Sequence, residues 1–450
     1  MEQTILSVQA LKNGRQDCLS PFGNLSGASS EGELDFHKRL VYDEHDFKMR
    51  DIKKYRGLLL ALAISGLTRS ALGQVDPDLR ELLQSGFNQS FHGAAPVAAY
   101  GYYYLNEPNF HHTNVTLRLA LAPVYMDSEV GLVGLLGPNT DLGIGLAGGG
   151  FADNYYEFQR GKYQPEQSFM GDSGETSVSL YHTFDPGKRI PLFGVLRLKE
   201  HYSVYQRTDQ LASDFTLPRA HSSLDWRAGL RLGGREPLLT PELAGEISAW
   251  YEGQYRTPSG AYGVDGDREV QPISELFWMR VLLIYTFDSK QSFDVNFTAG
   301  TTGNVDRFSA YRLGGTLPVA SEFPLSIPGY FYQELSARNF ISFNGAYTVP
   351  LTADKSWRIT PMGGLAVVDY LPGTQQPGAF NSGAGVAIGY KAHSGNWQVM
   401  ASYGYGFEAI RSTGRGAQAI GLFLEMNLHA RKPGEPPLLD KAIGYFPGHF

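Results

Sequence analysis

A few short stretches carry residue types that could do chemistry. Gly143-Ile144-Gly145-Leu146-Ala147-Gly148 fits the G-x-G-x-x-G pattern of a dinucleotide site. That pattern works only where a helix begins inside it and aims its N-terminus at the pyrophosphate. Here Gly149-Gly150-Phe151-Ala152-Asp153-Asn154 follows without helical periodicity, and Leu142, Ile144 and Leu146 alternate as on a strand. Gly171-Asp172-Ser173-Gly174 matches part of a serine-protease nucleophile loop, but Glu175 follows where Gly belongs. A serine without a placed base is not a nucleophile, so a polar loop is the simpler reading. His182 sits on an expected strand beside Ser179 and Thr183, a combination a strand-borne lipid hydrolase could use; an ordinary strand residue is again simpler. The histidines show no H-E-x-x-H or other metal spacing, and Cys18 is the only cysteine. No catalytic residue, metal or cofactor is therefore expected.

The elements that must hold these residues are strands. Apolar and polar residues alternate with period two along most of the chain from Val97 onward. Val115, Leu117, Leu119 and Leu121 oppose Thr116, Arg118 and Ala120; Leu224, Trp226, Ala228, Leu230 and Leu232 oppose Asp225, Arg227, Gly229 and Arg231. Phe293, Val295 and Phe297 oppose Asp294, Asn296 and Thr298. Such strands suit a soluble sandwich or a membrane barrel. Polar faces rich in Gly, Arg and Glu favour a lumen, and runs of about 9–13 residues suit a tilted membrane strand. The expected fold is all-β, a transmembrane antiparallel barrel of about 14–16 strands, even in number. Turns such as Asp288-Ser289-Lys290 and Ser394-Gly395-Asn396 are assigned to the periplasmic side. The long insertions Gly150–Asp172, Arg207–His221, Thr257–Pro272 and Thr316–Leu335 are assigned to the outside or the lumen. Tyr100 to Tyr104, Tyr251, Tyr255, Tyr403 and Tyr405 read as aromatic interface girdles.

Bulk properties agree. The 450 residues include 53 Gly, where average usage gives roughly 31, and 13% aromatics. A net charge of -7 argues against nucleic acid as a partner, which needs a basic surface. Arg50, Lys53, Lys54 and Arg56 precede the apolar run Leu58–Leu67 and the small-x-small site Ala71-Leu72-Gly73, a signal-peptide pattern. The expected organisation is a non-native or disordered extension at 1–48, a signal peptide at 49–73, a periplasmic linker at 74–96, the barrel at 97–429 and a tail at 430–450.

The stretch Phe308–Val349 is unusual. FSAYRLGG and FISFNGAYTV read as strands, and the segment between them is Pro- and Ser-rich yet apolar. An apolar connection this long must be buried and is of the kind that carries function. The order Arg312-Leu313-Gly314-Gly315, loop, Gly329-Tyr330, Glu334-Leu335-Ser336, strand resembles the bacterial surface antigen family. That family holds the outer-membrane barrels of BamA-like translocases, of two-partner-secretion transporters and of patatin-fused barrels. The resemblance runs from about Phe308 to Leu428. Gly421, Leu424 and Met426 fit the family's C-terminal barrel signal, Gly-x-x-apolar-x-apolar.

The resemblance implies an inward-folded lumen loop involving Arg312, Gly314, Gly315, Phe323, Ile327, Pro328, Gly329, Tyr330 and Arg338. In the family an Arg at the loop tip meets an Asp on a later strand, inside the lumen; Leu365-Ala366-Val367-Val368-Asp369-Tyr370 looks like that strand. Pro328-Gly329-Tyr330 replaces the tip tripeptide, so Asp369 would turn to Arg312 or Arg338. Strict alternation from Arg358 and Thr360 puts Asp369 on the other face, so an inward Asp369 requires a bulge between Pro361 and Gly364. The expected work is protein or lipid translocation or insertion at the outer membrane of a Gram-negative-type bacterium. Expected partners are outer-membrane lipid, the barrel assembly machinery during biogenesis, and an unidentified protein or lipid substrate. A passive channel or structural barrel, and a barrel-embedded lipid hydrolase, are the alternatives. No periplasmic substrate-handling module is expected.

Overall fold

The computed structural model describes residues 78–429, apart from 94, 96, 186–190, 242, 377 and 412–413. The expected extension, signal peptide and tail lie outside the described residues. The described chain is a closed 16-stranded antiparallel barrel. Its strands begin with β1 Arg80–Ser90, β2 Ala98–Pro108, β3 Val115–Ala122, β4 Tyr125–Leu132 and β5 Thr140–Gly149. Next come β6 Met170–Thr183, β7 Leu192–Gln206, β8 His221–Gly234, β9 Leu243–Arg256 and β10 Ile273–Thr286. The wall is completed by β11 Ser292–Gly303, β12 Leu335–Pro350, β13 Trp357–Tyr370, β14 Phe380–Lys391, β15 Trp397–Ile410 and β16 Arg415–Asn427. Each strand pairs with its sequence neighbour, and β1 closes on β16 from Leu82↔Asn427 to Ser90↔Ala419. The first strand lies within the stretch expected as a linker: Leu82 and Gln84 are lumen residues of the wall, buried to 1% exposure.

The period-two pattern sets the two faces. Ile144, Leu146, Val178, Leu196, Leu198, Leu230, Ile247, Phe277, Leu283 and Leu422 stand exposed on the outside, where a bilayer would solvate them. Residues on the opposite face of the strands, Arg118, Glu129, Ser177, Ser179, Asp225, Glu246, Glu252 and Arg280, are buried in the lumen. A strand of 14 residues such as β10 is about 48 Å long, and at a tilt near 45° rises about 34 Å, enough for a hydrocarbon core of about 30 Å.

Chain direction places the two barrel ends. The turns 287–291, 351–356 and 392–396 share one end with the start of β1 and the end of β16. At this end aromatic rings pair at the interface, as in Trp357–Tyr390 at 5.1 Å and Tyr390–Trp397 at 5.2 Å. The connections 150–169, 207–220, 257–272 and 304–334 all leave from the opposite end. Three of them pack into a cap around Tyr155, Phe169, Leu211, Phe215 and Tyr262, with Phe308 of the fourth against it. Gly171–Gly174, expected in a loop, instead belongs to the start of β6.

Tyr100, Tyr102 and Tyr104 depart from the girdle expectation. All are buried on the lumen face of β2, against Leu317 and Ala320 of the 304–334 segment. A lumen filled by its own chain is a core, and it takes tyrosines wherever their hydroxyls find acceptors. Tyr100 donates to Pro318 O at 2.6 Å, and Tyr102 to Gln84 Oε1.

Candidate functional site

The lumen wall is laced by charges facing each other across neighbouring strands. Arg118 on β3 lies 3.3 Å from Glu129 on β4, whose carboxylate also accepts from Tyr181 on β6 at 2.9 Å. Glu175 on β6 meets Arg197 and Lys199 on β7, each at 3.2 Å, and Lys199 reaches Asp225 on β8 at 3.4 Å. Arg227 on β8 pairs with Glu252 on β9, while Glu246 on β9 is shared by Arg231 and Arg280. Buried charges persist only when paired in this way. Gly143 and Gly145 make room for the ladder: a Cβ at Gly143 would lie 2.8 Å from the Glu129 carboxyl carbon, and one at Gly145 would strike Ser177. This is why the glycine pattern sits on a strand.

The segment between β11 and β12 runs into this lumen. Asp306 starts it, accepting from the backbone N–H groups of Phe308 and Ser309 and from Arg256 at 2.9 Å. Gly314 (φ 131°) and Gly315 (φ 52°) follow. A side chain at Gly314 would strike Phe331 O, and one at Gly315 would lie 2.6 Å from Tyr332 Cα, so the outgoing and returning limbs touch only because both are glycine. Gly314 N–H donates to Leu325 O at 2.9 Å, closing the fold of the loop on itself.

Three clasps seat the loop. Glu322 accepts from Arg231 at 2.7 Å, and Arg280 donates to Glu322 O at 2.7 Å. Beside it Phe323 inserts below Arg280, 4.4 Å from guanidinium to ring, and against the stacked Trp250 and Trp278. Farther on, Pro328-Gly329 lies on a floor of glycines. Cβ atoms at Gly364, Gly383, Gly404 and Gly406 would meet Pro328, Gly329 or the Tyr330 ring. Ile327 and Tyr330 are buried to 1% exposure there, with Leu325 packed alongside. Finally Glu334 forms a bidentate pair with Arg411, 2.7 Å on each limb, and the Arg411 guanidinium lies 3.8 Å from the Phe331 ring centre.

Asp369 corrects the expected mechanism. The register Ala346↔Met362, Gly345↔Gly363 and Asn344↔Gly364 is unbroken, so no bulge lies between Pro361 and Gly364. Alternation therefore carries Gly364, Ala366, Val368 and Tyr370 inward and Leu365, Val367 and Asp369 outward. Asp369 does pair with Arg338, at 3.0 Å, but outside the barrel and with both side chains nearly half exposed. Arg338 is likewise on the outer face, at an irregularity between Ala337 and Asn339. Arg312 binds neither: its guanidinium donates to Arg307 O at 3.1 Å and covers the Tyr155 ring at 5.0 Å, tying the loop to the cap. The buried loop pair is thus reversed in sign, with the acid, Glu334, on the loop and the cation, Arg411, in the turn that follows β15. Glu334 lies in the motif that carried the resemblance, yet nothing local marks it as charged in the lumen. Arg411 follows β15, and its meeting with Glu334 depends on barrel closure.

The cap holds a further charge cluster. Glu157 is fully buried, 3.1 Å from Arg307 and 3.6 Å from Arg268, and accepts from the Tyr155 hydroxyl. Burial alone would raise its carboxyl, but Arg307 and Arg268 outweigh it and hold Glu157 below the usual range.

Ser173 and His182 do not converge. His182 lies on the outer face of β6, with Nδ1 2.9 Å from the Thr140 hydroxyl. Ser173 lines a lumen pocket of about 380 Å³ with His201 and Asp153. There His201 directs Nε2 to Asp153 at 2.8 Å and Nδ1 towards Glu175 at 3.6 Å, so both ring nitrogens face carboxylates. Gly421 faces the lumen on β16, while Leu424 and Met426 face outward, as the spacing implies.

No family model matches the chain, and no curated protein matches it. Among solved structures, CdiB from Acinetobacter baumannii is similar at 12% identity and TM-score 0.48, covering 77% of this chain and 60% of that one. BamA from Haemophilus ducreyi lacking POTRA domains 1-3 is similar at 10% identity and TM-score 0.47, covering 77% and 70%. Pseudomonas aeruginosa OccK11 (OpdR) is similar at 10% identity and TM-score 0.35, covering 77% and 95%. The chain therefore spans about 60% of the length of CdiB. Taken on its own geometry, the protein is a closed 16-stranded barrel of outer-membrane type whose 304–334 segment folds into its lumen, the architecture that the resemblance to surface-antigen barrels implies.

Proposed function

We propose that the protein is an outer-membrane translocation or insertion barrel shut at rest by its 304–334 loop, with a protein or lipid substrate. One observation carries this reading. The loop is held by two buried ion-pair clasps, Glu322 on Arg231 and Glu334 on Arg411, beside apolar packing of Leu317, Ala320, Ile327 and Tyr330 on the wall. Ion pairs can be exchanged for a substrate's charges, so the clasps are the points at which a substrate would release the loop. The barrel would reach the outer membrane after cleavage of the 49–73 signal segment and insert with the help of the assembly machinery.

Planar-bilayer conductance tests the reading. The wild-type barrel is expected to conduct poorly, and replacing residues 316–328 with a short Gly-Ser linker is expected to open it. A passive channel would conduct at rest and change little on loop replacement. Esterase assay of the purified barrel and of Ser173→Ala and His182→Ala separates the hydrolase alternative. Activity lost in either variant would overturn the translocase reading.

A further inference from the structure

Beneath the loop, at the end with the short turns, lies a cavity of about 480 Å³, a volume suited to a ligand of a few hundred daltons. The turns 287–291, 351–356 and 392–396 form its rim, and its ceiling is the underside of the loop, including Pro318, Pro324 and Pro328. Proline has no N–H, so these ceiling positions offer no backbone donor.

The walls divide by depth. Arg235, Lys290, Lys355, Arg358 and Lys391 sit in turns or at strand ends around the rim, against the carboxylates of Asp294 and Asp354. Deeper in are Leu282, Ile284, Met362 and Met400. Met362 is on the same face of β13 as Arg358 and four residues further in, about 13 Å at strand rise.

Arg235 stands out. Among the described residues its one hydrogen bond is to Leu238 O at 3.4 Å, and no carboxylate comes within ion-pair distance. Burial lowers its guanidinium pKa and nearby Arg280 adds to this, while Asp294 opposes it. A guanidinium stays charged nonetheless, so it is a cation in want of an anion. Asp354 offers little competition, being held by His393 at 2.9 Å and Ser356 at 2.8 Å.

We infer that this vestibule binds an amphipathic anion from the periplasmic side, an acyl chain with a phosphate or carboxylate head, tail towards Met362 and Met400 and head at the Arg235 rim. This names a substrate class for the lumen and rests on the translocase reading only for its physiological sense. Binding does not require the loop to move, so either reading can fail without the other.

The test is photo-crosslinking of the full barrel, in nanodiscs of zwitterionic lipid, with a diazirine-bearing dodecyl phosphate, the labelled peptides being mapped. Labelling is expected on the β13 and β15 segments around Met362 and Met400. It should be competed by dodecyl phosphate and by dodecanoate but not by inorganic phosphate, and should fall at least tenfold in Arg235→Gln. Met400→Trp, which fills the apolar end without touching a charge, is expected to block labelling as well and covers the case in which Arg235→Gln fails to fold. Labelling spread over the outer face, full competition by inorganic phosphate, or labelling unchanged in a folded Arg235→Gln or Met400→Trp would each overturn the inference.

Discussion

Single residues differ sharply in consequence according to whether their charge is buried or exposed. Arg411 and Glu334 are both buried to within 3% side-chain exposure. Removing one strands the other, a loss of about 3–5 kcal/mol for a buried pair. Arg411→Ala and Glu334→Ala should therefore unseat the loop and raise conductance, and the double replacement should cost less than the two singles added. Asp369→Ala breaks a pair exposed on both sides, worth at most about 1 kcal/mol. Conductance and thermal stability should barely change in that variant; a large effect would restore Asp369 to the mechanism. Glu157 makes a pH prediction. Its carboxyl is held below the ordinary value of 4.5. Its contribution is thus complete above that value and is lost as pH falls through the lower folded one. Protease sensitivity of the 150–169 connection should rise on acidification below about pH 4.5, and Glu157→Gln should flatten that dependence. An unchanged profile in the variant would place the acid response elsewhere.

At the scale of strands, the two faces make a paired prediction. Phe297 lies outward on β11 and Thr298 inward; Phe297→Arg puts a charge among lipid tails, at about 2–4 kcal/mol near the midplane, and should reduce the yield of heat-modifiable barrel in membranes. Lumen changes are costly as well: Arg118→Ala and Arg227→Ala each leave a buried carboxylate, Glu129 or Glu252, at about 3–5 kcal/mol. Both variants should lower stability, and a second replacement, Glu129→Gln or Glu252→Gln, should recover part of the loss. Faces were legible in the sequence because a side chain's side depends only on parity. Partners were not, because Arg118 meets Glu129 only through the β3–β4 register. Asp369 shows the same division: alternation from Thr360 already placed it outward, and the family's Arg–Asp pair was carried over against that parity. The glycine floor was equally hidden. Gly364, Gly383, Gly404 and Gly406 lie on three strands and become one surface only when β13, β14 and β15 are side by side.

At the scale of the whole molecule, the protein is a barrel whose charged lumen is divided by its own loop. Above the loop, the cap on Glu157 and the aromatic cluster cover the mouth with the long connections; below it, the cation-rimmed vestibule opens among the short turns. The loop itself was visible in the sequence as an apolar connection with nowhere else to be buried, but which clasps seat it required the closed wall. Ser326 reports on this arrangement directly, since it lines the vestibule from the loop side, and the only native cysteine, Cys18, precedes the expected signal-peptide cleavage site. Intact cells carrying Ser326→Cys would be exposed to a membrane-impermeant maleimide before and after permeabilising the outer membrane. The account predicts no labelling in intact cells and rapid labelling once the periplasm is open. Equal labelling in intact cells would place the loop outside the barrel and contradict it.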